Sequence, residues 1–148
     1  MKVVVQRVSK VNLKSDQYSS NIGFGLLVLV GVSKDDTMED VKYLARKVTS
    51  LRIFDDENDK CNLSVLDVDG EIMVVSNFTL QGRLPKGTRP DFLRAAGREQ
   101  AVELYEKFID EIKTYNIKKV EKGSFGNHMD IDVSLHGPYT FELESEGR

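Results

Sequence analysis

The sequence predicts an α+β fold: a largely antiparallel β-barrel or sandwich with two helices packed outside it. Three observations lead there. Alternating or valine-rich runs of strand length recur along the chain. Only two segments place apolar residues at helical spacing. The order of elements lacks the regular strand-helix alternation of a doubly wound sheet. The 148 residues, 40% hydrophobic and 30% charged, suffice for one domain with a real core. No repeat, linker or low-complexity stretch interrupts them, so residues 1–148 read as a single domain.

Lys2 to Val8 is valine-rich and reads as a strand. Val11 to Lys14 can continue it or pair with it, ahead of a turn at Ser15-Asp16. Gly25 to Ser33 is a continuous apolar run bounded by glycine and serine, the pattern of a strand buried on both faces. Thr37 opens a helix. Thr37 and Asp40 have capping-box spacing, and Met38, Val41, Leu44, Ala45 and Val48 form one apolar face. Leu51 to Phe54 reads as a short strand, and Asp55 to Asn62 as a polar loop. Asp69-Gly70 is a hairpin signal leading into the strand Glu71 to Ser76. Gln81 to Asp91, with two prolines, two glycines and three basic residues, is a loop. A second helix runs from about Arg98 to Tyr115, with Ala101, Leu104, Tyr105, Phe108, Ile109 and Ile112 facing inward. Ile117 to Val120, His128 to Leu135 and Tyr139 to Leu143 are strands. The polar tail from Glu144 to Arg148 is expected to fray.

The formal net charge is −3, so any contact with nucleic acid has to come from a local patch. A single cysteine, Cys61, excludes an internal disulfide. It sits in a polar turn with no histidine near it in sequence. No Cys/His cluster has zinc-site spacing, so no metal and no cofactor are expected. The apolar start, Met1-Lys2-Val3-Val4-Val5, is too short for a leader or a membrane span. A cytoplasmic protein with no membrane or DNA partner is the expectation.

Conventional catalytic constellations are scarce. His128 and His136 lack a placed acidic partner and read as surface or structural residues. Asp130 and Asp132 alternate with apolar residues and read as the solvent face of their strand. The segment Ser76-Asn77-Phe78-Thr79-Leu80 is polar where an apolar strand ends. Its hydroxyls lack a histidine base, but its backbone N–H groups suit an oxyanion. The loop beyond it carries Arg83, Lys86, Arg89, Arg94 and Arg98 against Asp91 and Glu99. This is the one basic concentration in an acidic protein, and it suits phosphates. Gly137-Pro138 separates the last two strand patterns. Taken alone the pair reads as a hairpin turn. It also combines glycine's backbone freedom with a fixed proline φ, and so is able to present carbonyls rather than a side chain.

Together these segments resemble the D-aminoacyl-tRNA deacylase family of bacterial and eukaryotic type. The family's Ser-Gln-Phe-Thr-Leu motif stands here as Ser76 to Leu80. Its Asn-x-Gly-Pro-x-Thr motif stands as Leu135 to Thr140. Further matches are Gln6-Arg7-Val8, Leu51 to Phe54, Asn62 to Val65, Lys86 to Pro90, Leu104-Tyr105 and Gly123 to Gly126. The resemblance implies a homodimer acting on the 3′ end of aminoacyl-tRNA. Ser76, Asn77, Phe78 and Thr79 would line the catalytic pocket. Gly137 and Pro138, joined by a cis peptide and inserted into the other subunit, would exclude L-amino acids. Arg7 would hold that loop, flanked by Leu135, Tyr139 and Thr140, and Lys86 and Arg89 would meet tRNA. The implied chemistry is ester hydrolysis assisted by the tRNA 2′-OH, with glycine passing the same filter.

Three positions depart from the motifs. Asn77 is one methylene shorter than Gln, Leu135 replaces an amide, and Tyr139 replaces Val. An amide exchanged for an alkyl group loses hydrogen bonds. Two alternatives therefore stand beside the standard reading: a weakened paralogue that binds tRNA as a dimer, and a deacylase of relaxed chirality with a trans Gly-Pro bond.

Overall fold

The computed structural model describes residues 1–146. At its centre is β1 (Lys2–Ser15), a single unbroken strand that pairs with three others. After a two-residue turn the chain runs back along one edge of β1. It does so first as β2 (Tyr18–Ile22) and then as β3 (Gly25–Gly31), both antiparallel. The other edge of β1 is taken by β8 (Asp130–Glu144), also antiparallel. β6 (Glu71–Ser76) lies parallel to β3, and β7 (Val120–Lys122) parallel to β6. The main sheet thus has three antiparallel pairings and two parallel ones. It curls until Tyr18 and Ser20 of β2 both donate to the carbonyl of Lys122 in β7, at 2.7 and 2.9 Å. The result is a barrel-like sheet, nearly closed.

Helices α1 (Met38–Ser50) and α2 (Arg98–Lys113) pack on the sheet. Their apolar faces, with Val41, Leu44, Val48, Tyr105, Phe108 and Ile112, meet Val3, Val5, Leu26, Val28 and Val74. A second, smaller core lies on the other side of the sheet, built from Val8, Val11, Leu13, Ile22, Leu27, Met73 and Val75. β3 feeds both cores by alternation, which is why its run is continuously apolar. The α1 capping box forms as its spacing predicts. Asp40 accepts from the Thr37 N–H at 2.7 Å, and the Thr37 hydroxyl accepts from Glu39 N–H at 3.3 Å.

Several elements differ from expectation. Tyr18–Ile22 is a strand that its polar composition concealed. The strand read at Leu51 to Phe54 shrinks to β4 (Phe54–Asp55), which pairs with β5 (Cys61–Leu63) inside the expected loop. Asp69-Gly70 makes no hairpin, because the strand it opens is parallel to its neighbour. Asp69 instead turns the chain at φ 52°. The strand read at Ile117 to Val120 begins only at Val120. The second helix ends at Lys113, where Thr114 caps it. In the tail, Glu144 belongs to β8, and Ser145 is buried with its N–H bonded to the Met1 carbonyl. Gly147 and Arg148 lie outside the described residues.

The largest difference is at Gly137-Pro138. The strands read on either side of it are one strand, and both flanks pair with β1 in the same direction. The chain therefore does not reverse, and the pair is not a hairpin turn. Gln6 pairs with Thr140 and Val8 with Leu135, so Arg7 alone stands opposite His136, Gly137, Pro138 and Tyr139. The four residues rise from the sheet edge as an oversized bulge. The Gly137-Pro138 peptide is cis.

Candidate active site

A cleft of about 330 Å³ opens where β3 and β6 end, within the size range of small-molecule sites. Val30, Val32 and Ser76 to Phe78 form one side, and Ala96, Ala101 and Tyr105 another. Residues 125–129 form the third. Three of the four residues nominated as catalytic, Ser76, Asn77 and Phe78, line it. Thr79 does not.

The local sequence explains the shape. Asn77 follows β6, and its side chain caps a single 3-10 turn, Phe78–Gln81, by accepting from the Thr79 N–H at 3.2 Å and from the Thr79 hydroxyl. The turn is pinned behind by Gln81, whose buried amide donates to the Gly31 carbonyl at 2.8 Å. The shortened amide at position 77 thus builds the turn from within. Asn77 N–H is spent on Val30 O at 2.7 Å and Thr79 N–H on the Asn77 side chain. Among the described residues this leaves the Phe78 N–H and the Ser76 hydroxyl without acceptors or donors. These are the polar groups the cleft wall offers to an incoming ligand.

The rest of the lining is aromatic and apolar. Phe78 is exposed and meets Phe92 edge to face, with centroids 5.1 Å apart. Tyr105 and Phe125 stand 5.5 Å apart. The Tyr105 hydroxyl donates to Val74 O at 2.8 Å, and burial pushes its pKa well above the ordinary phenol value. It stays a neutral wall near neutral pH. The Arg98 guanidinium lies 5.5 Å from the Phe125 ring and fills the space beside Gly126, which has φ +77°. A Cβ at Gly126 would fall 2.4 Å from Arg98 Nη1. Phe125, His128 and Met129 also line the cleft, beyond the residues the motifs point to. The Gly123-Ser124-Phe125-Gly126 match was the available signal. His128 sits exposed at the rim, with Nε2 3.2 Å from Asp130 Oδ1.

The six residues assigned to the filter gather elsewhere. None of Arg7, Leu135, Gly137, Pro138, Tyr139 and Thr140 lines the cleft. Arg7 is only 4% exposed and anchors the bulge. Its Nε donates to His136 O at 2.8 Å. Its Nη1 donates to Ile53 O at 2.9 Å and lies 3.4 Å from Asp55 Oδ1. Its guanidinium covers the Tyr139 ring at 4.0 Å. Gly137 and Pro138 themselves are exposed. In the basic loop, Arg83 pairs with Asp91 at 3.3 Å and Arg94 pairs with Glu146. Lys86 and Arg89 are exposed and have no ion pair among the described residues.

A family model described as D-Tyr-tRNA(Tyr) deacylase matches residues 4–144. A D-aminoacyl-tRNA deacylase of Clostridium beijerinckii is 51% identical over 147 residues, covering 99% of this chain and 98% of its own. A solved structure described as c-Myc DNA Unwinding Element Binding Protein is 41% identical with a TM-score of 0.92, covering 98% of this chain and 99% of that one. Another, described as a "probable eukaryotic D-amino acid tRNA deacylase", shares the fold at 16% identity and a TM-score of 0.86, over 97% and 98% of the two chains. By class the chain is an enzyme, a hydrolase of ester bonds. It belongs to the D-Tyr-tRNA(Tyr) deacylase family.

Proposed function

We propose that this single-domain chain hydrolyses the ester of D-aminoacyl-tRNA as a homodimer. In this reading the Gly137-Pro138 bulge of one subunit enters the cleft of the other and rejects L-amino acids. One observation carries it: the bulge is exposed on a sheet edge and shares no pocket with Ser76 to Phe78. Within one chain the two motifs do not meet, so a second copy has to bring them together. Leu135 and Phe141, exposed on the same strand at 46% and 38%, supply apolar surface for that contact.

The cleft receives the terminal nucleoside and its amino acid. The Phe78 N–H stabilises the oxyanion as water attacks the ester carbonyl, and the tRNA 2′-OH assists that attack. The ribose hydroxyl of tRNA leaves, and the D-amino acid is released. A filter built of main-chain carbonyls tests shape at the α-carbon and ignores side-chain identity. Glycine, with no side chain, passes it, so glycyl-tRNA is a second substrate. Lys86 and Arg89 meet the tRNA backbone and make binding salt-sensitive. Among the described residues no helix is long and apolar enough to cross a membrane, and a cytoplasmic site of action follows from the substrate.

The test compares deacylation of D-tyrosyl-, L-tyrosyl- and glycyl-tRNA by the native protein and by Pro138→Ala, together with the sedimentation mass. The expected results are a two-chain mass, turnover of the D- and glycyl-substrates, and a Pro138→Ala protein that gains activity on the L-substrate. A monomeric protein that still discriminates D from L defeats the cross-subunit reading. No turnover with retained, salt-sensitive tRNA binding identifies a weakened paralogue. Duplex DNA serves as a competitor, because one relative is described as a DNA-binding protein.

A further inference from the structure

The bulge sets four residues against one, so most of its backbone cannot be held by ladder hydrogen bonds and something else has to fix its height. The motif position that would carry an amide is Leu135, which is 46% exposed and offers no polar side-chain atom. The support comes from the other flank. The Tyr139 ring lies directly against Gly137: a Cβ there would fall 2.4 Å from Tyr139 Cδ2 and 3.1 Å from Cε2. The ring is also covered by the Arg7 guanidinium at 4.0 Å. Arg7 in turn holds His136 O, on the other side of Gly137, at 2.8 Å.

The contacts continue into a closed circuit. Arg7 Nη1 lies 3.4 Å from Asp55 Oδ1, and that oxygen lies 3.8 Å from Cys61 Sγ. Cys61 is the largest cause pushing the Tyr139 phenol pKa up. Arg7, which covers the Tyr139 ring, thus ties the bulge to the small β4-β5 hairpin as well as to β1. Phe24 braces the same region, with its ring 5.8 Å from His136 and 5.2 Å from Phe54.

We infer that Tyr139 is a positioning residue: its ring, packed against both Arg7 and Gly137, fixes how far the Gly137-Pro138 bulge stands out and thereby sets the strictness of D-over-L selection. This rests on the filter reading above and deepens it. Tyr139 acts on the substrate through Gly137 and need not touch it. The two departures at Leu135 and Tyr139 then form one exchange of support, from an amide on one flank to an aromatic ring on the other.

The experiment measures kcat/KM on D-tyrosyl- and L-tyrosyl-tRNA for the native protein, Tyr139→Phe, Tyr139→Leu and Pro138→Ala, with urea unfolding of each to separate stability from selectivity. Tyr139→Phe keeps the ring and is expected to hold the D/L ratio within about twofold of native. Tyr139→Leu keeps bulk but loses the face that Arg7 covers. Its D/L ratio is expected to fall about tenfold, the scale of a lost cation–π contact, through a rise on the L-substrate. A native ratio in Tyr139→Leu, with a lowered ratio in Pro138→Ala, overturns the role of Tyr139 and leaves the filter standing. An equal fall in Tyr139→Phe overturns the stacking argument. Native ratios in all three variants overturn the filter reading itself.

Discussion

Arg7→Met keeps the length of the stem and deletes the guanidinium, so it isolates what that group does. Two carbonyls lose charge-assisted donors, His136 O at 2.8 Å and Ile53 O at 2.9 Å. Such bonds contribute about 1.5–3 kcal/mol each, net of the water both groups give up. Ile53 is 3% exposed, so its carbonyl finds little water in the variant and its share lies at the upper end. His136 is exposed, its carbonyl is rehydrated, and its share falls below the lower end. Asp55 keeps 41% of its side chain in water, so its ion pair adds little. The expected loss is about 3 kcal/mol, which in a domain of this size lowers Tm by about 6–12 °C. The chain has no tryptophan, so unfolding in urea is best followed by circular dichroism. Arg7→Lys, a point charge without the fork, should fall between the two. A loss below about 1 kcal/mol for Arg7→Met would mean that the guanidinium behaves as a surface ion, and the account of the bulge's anchor would be wrong.

Gly25→Ala should be far more damaging than its one methyl suggests. A Cβ there would fall 1.8 Å from Glu71 O and 2.6 Å from Glu71 N, both main-chain atoms of the adjoining parallel strand. The expected loss is about 3 kcal/mol or more, read from soluble yield and the urea midpoint, and a variant of native stability would refute so close an approach. Asp56→Asn tests an electrostatic claim. N–H donors from Lys60 and Asn58, at 3.1 and 2.8 Å, hold the Asp56 carboxyl below its ordinary pKa. A depressed folded pKa adds stability that is full above the unfolded value of about 3.9 and vanishes as pH falls through the folded one. Asp56→Asn should therefore lose less stability than the native protein on acidification below about pH 4, measured by urea midpoints across pH. Parallel acid limbs would remove Asp56 from the account.

The legible parts of the fold are those where a local pattern and the tertiary structure ask for the same thing. Thr37 and Asp40 announce a cap that forms, and the α2 face from Leu104 to Ile112 is buried as its spacing implies, with Ala101 half-buried at its start. The run Gly25 to Gly31 is apolar throughout because successive residues enter different cores. Other signals are ambiguous by nature. Tyr18-Ser19-Ser20-Asn21-Ile22 buries only Ser20 and Ile22, too little apolar contrast to mark a strand. Asp69-Gly70 supplies the backbone freedom of a tight turn, which serves a parallel strand as well as a hairpin. Gly137-Pro138 looked like a reversal because local sequence cannot report that both flanks share one partner, β1. The first motif located part of the cleft. Its far wall, from Phe125 to Met129, joins it through sheet curvature that no short segment encodes. The inward turn of Asn77 was also hidden, since it depends on where the Thr79 N–H ends up.

The parallel pairing of β3 with β6 has an evolutionary consequence. Parallel neighbours finish at the same end of a sheet, and ligands gather outside the carboxyl ends of such strands. Val30 and Val32 at the end of β3, and Ser76 to Phe78 at the end of β6, meet there without either strand interior taking part. On the proposed reading, exchanges from Asn77 to Arg98 retune what the enzyme accepts while the ladder from Leu26 to Leu29 and Ile72 to Val75 carries the fold. At this end of the sheet, much of what meets the ligand lies beyond the strands that hold the fold, so the loops are able to drift with little cost to the ladder.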